Sequence, residues 1–318
     1  MKKALLIGIN YKNDKTMALQ GCVYDTIQMA NALILYMGYH PADIYMLRDD
    51  IGQAPTRITI LNYLNVLAIQ SASLEEIWIY YAGHGISSKG LESAIAPIDY
   101  SSAGLITETD LFAIFQRIQC RTIAVFDCCH SGSICKLEWS LEYRNPSYCV
   151  RNQDAAKHLD NTDIIVYSGY RDHKSLFQDY LAIDSLMVDS LAVDSLTVVG
   201  EFTKTFLQCL QSKDFTYSPV YLYGDICTDL AKKGYSHRPA YSSSGIVTTF
   251  QFQKNMPTSM DAPYPLKECY IISSPIKPPV RMNLIQNEPV IEQNGTQGNR
   301  FHLFGKSSKK RMSKMFGV

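Results

Sequence analysis

Five short apolar runs, set apart by stretches of helical period, constrain the fold of this chain more than any other feature. The runs are Ala4–Ile9, Ile44–Leu47, Ile77–Tyr81, Thr122–Phe126 and Ile164–Tyr167. Their residues are apolar at successive rather than alternate positions, so each run reads as a strand covered on both faces. Between them lie the helix-period stretches Cys22–Met37, Thr56–Ile69 and Leu111–Ile118. The last of these is opened by Thr107-x-x-Asp110 in the manner of a capping box. Strands alternating with helices predict an α/β three-layer sandwich, a mostly parallel central sheet with helices on both faces. Two further helices follow near Glu201–Gln211 and Val220–Lys232, and the apolar run Ile246–Phe252 reads as the closing strand. A chain of 318 residues, 46% hydrophobic and 19% charged, has enough apolar material for one full domain and a tail.

Three segments break the pattern. Residues 133–162 are polar and mixed and read as a long connection between strands. Residues 182–196 repeat a five-residue unit, ending Asp184-Ser185-Leu186, Asp189-Ser190-Leu191 and Asp194-Ser195-Leu196. A period of five matches neither a helix face nor a strand face, so the repeat reads as an insertion in a surface loop. From residue 253 to 318 prolines multiply and periodicity ends, the signature of a disordered tail, here with a basic end (Lys306 to Lys314). The domain is therefore expected over residues 1–252.

Whole-chain charge excludes one class of partner. Lys+Arg and Asp+Glu are 30 each, so nothing points to a nucleic acid. No apolar stretch is long enough to span a bilayer, and the run after Met1 reads as a strand rather than a secretory leader. Nine scattered cysteines, an odd number, fit a reducing compartment better than a disulfide framework, so a cytoplasmic location is expected.

The chemistry lies at two strand exits. One apolar strand, Ile77 to Tyr81, runs into Ala82-Gly83-His84-Gly85; another, Thr122 to Phe126, runs into Asp127-Cys128-Cys129-His130-Ser131-Gly132. In an open parallel sheet, functional groups collect beyond the carboxyl ends of the strands, so a His and a Cys delivered there can meet. A thiolate is the nucleophilic form of cysteine, and a neighbouring imidazole both generates it and returns the proton to a leaving amine. The backbone amides of Gly85 and Cys129 are the candidates for holding a tetrahedral oxyanion.

These segments resemble the metacaspases, the caspase relatives found outside animals. The combination of Tyr80-Tyr81-Ala82-Gly83-His84-Gly85 with Asp127-Cys128-Cys129-His130-Ser131-Gly132, His84 and Cys129 standing 45 positions apart, is highly specific. Leu5-Leu6-Ile7-Gly8-Ile9-Asn10-Tyr11, Leu19-Gln20-Gly21-Cys22-Val23-Tyr24-Asp25, Ser168-Gly169-Tyr170-Arg171-Asp172 and Pro239-x-x-Ser242-Ser243-Ser244 resemble further family segments. The resemblance implies a caspase-like domain with a large-subunit-like part over 1–135, a linker over 136–162 and a small-subunit-like part over 163–252. It implies a short-linker type I arrangement without an N-terminal prodomain, and a monomer. It implies Cys129 as nucleophile and His84 as base, and places Cys22, Asp25 and Asp127 in the primary specificity pocket. Two carboxylates there imply cleavage after Arg or Lys in protein or peptide substrates. They also imply rejection of aspartate, which animal caspases select.

The chain departs from the pattern in places. Ala82 stands where a serine is common, Tyr170 replaces a cysteine, and His173 replaces the second of two aspartates that help bind activating calcium. Asp172 remains as a candidate ligand, so calcium is expected as an optional activator, with no cofactor required. Lys136, Arg144, Arg151 and Lys157 are candidate self-cleavage sites in the connection. A zinc cluster at Cys128, Cys129, His130 and Cys135 is disfavoured, since adjacent cysteines suit one tetrahedral ion poorly. The rival reading is a silent caspase-like scaffold or regulator acting through protein contacts, and retention of both His84 and Cys129 argues against it.

Overall fold

The computed structural model describes residues 1–86, 92–128, 134–135, 137–145, 147–152, 154–169, 200–235, 239–246 and 250–256. All five predicted core strands are present, as β1 (Lys2–Gly8), β2 (Ile44–Arg48), β3 (Glu76–Ala82), β7 (Arg121–Asp127) and β10 (Ile164–Ser168). Three two-residue strands, β4 (Gly85–Ile86), β5 (Ala94–Ile95) and β6 (Ile106–Thr107), form a small antiparallel sheet beyond the end of β3. The helices are α1 (Cys22–Tyr36), α2 (Arg57–Gln70), α3 (Tyr100–Ala103), α4 (Glu108–Phe115), α5 (Glu201–Ser212) and α6 (Pro219–Lys232). The capping box forms: the Thr107 hydroxyl accepts from the Asp110 amide while the Asp110 carboxylate accepts from the Thr107 amide. Helix α4 therefore begins three residues before the first apolar position of its pattern.

The remaining strands are β8 (Trp139–Arg144), β9 (Ser147–Asn152) and β11 (Ala240–Ser243). Together they complete a sheet of order β2-β1-β3-β7-β10-β11-β8-β9. β2, β1, β3, β7 and β10 are mutually parallel, and β11, β8 and β9 continue antiparallel to one edge. Both faces of the parallel strands are filled. Ala4, Leu6, Trp78, Tyr80, Ile123, Val125 and Tyr167 share one core with α1, α5 and α6 through Met29, Leu33, Phe206, Leu210, Leu222 and Ile226. The alternate residues Leu5, Ile7, Ile79, Tyr81, Ala124 and Phe126 are equally buried, on the side where α2 packs against β1 and α4. This is the α/β architecture expected from the sequence.

Two expectations need correction. The last strand among the described residues is Ala240–Ser243; of the run expected to close the sheet, residues 247–249 lie outside the described residues and Phe252 makes an isolated bridge to Tyr217. The polar stretch after residue 133 is not merely a connection, since it supplies the β8–β9 hairpin that widens the sheet. Packing also runs past residue 252, because the Asn255 amide donates to the Tyr36 carbonyl at 2.8 Å. The pentapeptide repeat and the tail beyond residue 256 lie outside the described residues.

At the amino ends of β1, β3 and β7 a cavity of about 370 Å³ is lined by Lys2, Glu76, Arg121, Phe250 and neighbours. Its charges answer one another: Glu76 accepts from the Tyr39 hydroxyl at 2.8 Å and pairs with Lys2 at 3.4 Å and Arg121 at 3.7 Å. The candidate catalytic residue His84 stands beyond the opposite end of β3.

Candidate active site

Strand register sets up the site. Gly8 of β1 lies opposite Ala82 of β3, and Ala82 opposite Asp127 of β7. His84 follows its paired residue by two positions, and in the sequence Cys129 follows Asp127 by two. Cys129 itself lies outside the described residues, whereas its neighbour Cys128 is buried. Between β3 and His84 the chain passes Gly83, whose amide donates to the Asp127 carbonyl at 3.3 Å. Only a glycine fits there, because a Cβ would stand 2.6 Å from the Tyr81 hydroxyl.

His84 is held on several sides. Its amide donates to the Tyr11 hydroxyl at 3.2 Å. Its carbonyl accepts from the Tyr81 hydroxyl at 2.8 Å and from the Ala96 amide at 3.1 Å. Its Nε2 lies 2.8 Å from the Met17 carbonyl oxygen. A carbonyl can only accept, so Nε2 carries the proton and Nδ1 is the basic nitrogen of the neutral ring. Gly85 follows directly and opens β4, paired with Ile95.

The second feature is a pair of carboxyls, Asp25 buried and Asp127 half-buried. Asp25, in the first turn of α1, accepts from the Gly200 amide on both oxygens at 2.9 Å. Asp127 ends β7 and accepts from the Thr203 amide at 3.2 Å and the Thr203 hydroxyl at 2.5 Å. That hydroxyl in turn accepts from Tyr80 at 2.7 Å. A Cβ on Gly200 would lie 2.6 Å from one Asp25 oxygen and 2.9 Å from one Asp127 oxygen, so both carboxyls converge on one point. Burial, and then the charge of Asp127, push Asp25 up to about 8, and burial likewise raises Asp127. Cys22, half-buried at the start of α1, lies close enough to the hydroxyls of Tyr11, Tyr80 and Tyr81 to influence their ionisation. Asp172, like Tyr170 and His173, lies outside the described residues, and among the described residues no group of three His, Cys, Asp or Glu could hold a metal.

Comparison with known proteins fits this layout. A family model described as "Metacaspase, peptidase C14 domain" matches residues 2–138. Residues 2–138 are thus similar to a metacaspase domain. That family is one of cysteine-type peptidases. Metacaspase-1 of Candida glabrata is 33% identical over 153 residues, covering 44% of this chain and 39% of that protein. Metacaspase-5 of Trypanosoma brucei brucei is 29% identical over 280 residues, covering 82% of this chain and 54% of that protein. Metacaspase-1 of Cryptococcus neoformans is 36% identical over 152 residues, with coverages of 43% and 33%. The chain thus spans between a third and about half of these relatives. Among solved structures, a Geobacter sulfurreducens protein has a TM-score of 0.49 at 17% identity, covering 80% of this chain and 97% of that one. Caspase-1 of Spodoptera frugiperda has a TM-score of 0.45 at 8% identity, with coverages of 78% and 87%.

Several residues of this candidate site carry no signal in the sequence. Tyr11 sat inside a recognised segment but had no assigned role. The Met17 carbonyl is invisible to any motif, being backbone. Gly200 and Thr203 open α5 and look like an ordinary helix start.

Proposed function

We propose that this protein is a cysteine endopeptidase that cleaves peptide bonds after Arg or Lys. Cys129 is the nucleophile. His84 takes the thiol proton on Nδ1, and the thiolate attacks the scissile carbonyl. The amides of Gly85 and Cys129 receive the developing oxyanion. His84 then protonates the departing amine, and water attacks the resulting thioester to release the acid. The observation that carries the reading is the convergence of Asp25 and Asp127 beside the exit of β3. A buried and a half-buried carboxyl meet there, and no Lys or Arg pairs with either among the described residues. A guanidinium or ammonium group from a substrate supplies the missing countercharge. Cys22 lines the same pocket.

The substrate is a protein or peptide. Self-processing belongs to the proposal: Arg144 and Arg151 keep 55% and 53% of their side chains exposed and both pair with Glu142, while Lys157 pairs with Glu108. Lys136 lies outside the described residues. The protein acts as a monomer in a reducing compartment, the cytoplasm, where thiols such as Cys120, Cys135 and Cys209 stay unoxidised. None of the helices among the described residues is long and apolar enough to cross a membrane. Calcium, with Asp172 as a ligand, acts as an optional activator.

Hydrolysis of matched peptides bearing Arg, Lys or Asp before the scissile bond tests the reading, with and without calcium. The Arg and Lys peptides are cleaved and the Asp peptide is not. Cys129→Ala and His84→Ala each lower kcat by at least about a thousandfold. Equal rates on the Asp peptide sink the pocket assignment, and an active alanine variant sinks the dyad.

A further inference from the structure

Tyr11 is fully buried, yet its backbone is left-handed, with φ 50. An aromatic residue holds that conformation only when its surroundings impose it, and such residues gather at functional sites. The surroundings here are those of His84. The Tyr11 hydroxyl donates to the Ala96 carbonyl at 2.5 Å and accepts the His84 amide proton at 3.2 Å. Its ring packs against the imidazole with centroids 4.9 Å apart and planes tilted by 48°. The left-handed turn also starts the loop that reaches the other side of His84. The Asp14 amide returns to the Tyr11 carbonyl at 2.8 Å, and the Met17 amide to the Asp14 carbonyl at 3.1 Å. Asp14 is tied down by the Tyr100 hydroxyl at 2.7 Å. That path delivers the Met17 carbonyl to Nε2 at 2.8 Å.

One residue therefore touches the amide and the ring face of His84 and sets the course of the chain that fixes its tautomer. We infer that Tyr11 is a positioning residue for His84, holding the imidazole in the orientation and tautomer that make Nδ1 its basic nitrogen. The inference rests on His84 being the base. Proton transfer needs heavy atoms within about 3 Å and aligned, so a small rotation of the ring lowers the rate while leaving the specificity pocket intact.

Tyr11→Phe keeps the ring and removes the hydroxyl; Tyr11→Leu removes both. In the full chain, the pH profile of kcat/KM on an Arg peptide is measured together with the pH dependence of Cys129 alkylation by iodoacetamide and thermal unfolding. Tyr11→Phe lowers kcat about tenfold and leaves KM within about twofold, and the acid limb of both profiles moves. Tyr11→Leu lowers kcat about a hundredfold. If Tyr11→Leu does not fold, Tyr11→Phe decides alone, because it removes the hydroxyl that bonds Ala96 and the His84 amide while keeping the buried ring; the expected signature is again a kcat loss at near-constant KM. Folded variants with unshifted limbs and unchanged kcat overturn the inference. So does a rate loss that merely tracks the folded fraction. A His84→Ala variant of undiminished activity is a separate failure, that of the proposed function beneath it.

Discussion

A carboxyl that must be buried beside another carboxyl resists ionising, and Asp25 shows this. Its ordinary value is about 3.9, and in the folded protein it is pushed up to about 8, first by burial and then by Asp127. Among the described residues the groups facing it bring no cation: Asp127 lies on β7, Tyr80 on β3 is itself held neutral by burial, and α5 offers the Gly200 amide and Thr203. The folded state thus keeps a proton that the unfolded chain has released. Stability linked to this group is full below about pH 4, falls as pH rises through 8, and then levels off. Asp25→Asn removes that slope, so denaturant unfolding shows the variant gaining on the wild type between pH 5 and pH 8.5. The same proton competes with a cationic substrate. KM for an Arg peptide therefore falls as pH rises toward 8, while KM for a citrulline peptide stays flat. A parallel pH dependence for both peptides would mean that the pair does not contact the side chain before the scissile bond.

At the scale of elements, α5 is what turns two acidic residues on different elements into one pocket. Its first turn presents the amides of Gly200 and Thr203, and a helix amino terminus favours negative charge. Gly200 has φ −61, open to any residue, so the glycine is required by space alone. Gly200→Ala drives a methyl group into both carboxyls. KM for Arg peptides rises at least about tenfold while the intrinsic alkylation rate of Cys129 stays near wild type, because the dyad sits on other strands. This element-level logic separates what the sequence disclosed from what it hid. Strands β1, β3, β7 and β10 were legible because burial on both faces writes a continuous apolar run. β8 and β9 were not, because residues such as Glu142, Arg144 and Arg151 face outward from the antiparallel edge of the sheet. β11 reads Ala-Tyr-Ser-Ser, whose buried serines look like loop residues. Asp25 and Asp127 were legible through their motifs, whereas the Met17 carbonyl and the Gly200 amide belong to the backbone and have no side-chain signature.

Among the described residues the chain threads the eight-stranded sheet out of sequence order, and that decides what self-cleavage can do. β8 precedes β10 in sequence, yet β10 and β11 lie between it and β7 in the sheet. A cut after Arg144 would leave β1 to β8 on one fragment and β9, β10, β11, α5 and α6 on the other. Three of the four interfaces from β7 to that edge then join the two fragments: β7 with β10, β11 with β8, and β8 with β9. The β10 interface is core, with Ile164, Ile165 and Val166 buried, so separation would expose apolar surface worth about 2 kcal/mol per side chain. Cleavage there gives two bands on a denaturing gel and a single peak of unchanged elution volume under native conditions. Activity survives, because His84 stays on the first fragment and Asp25 there remains hydrogen-bonded to Gly200 at the start of an α5 that the sheet still holds in place. Two native peaks, or loss of Arg-peptide cleavage in step with the cut, would show that the hairpin connection, rather than the sheet, keeps the halves together.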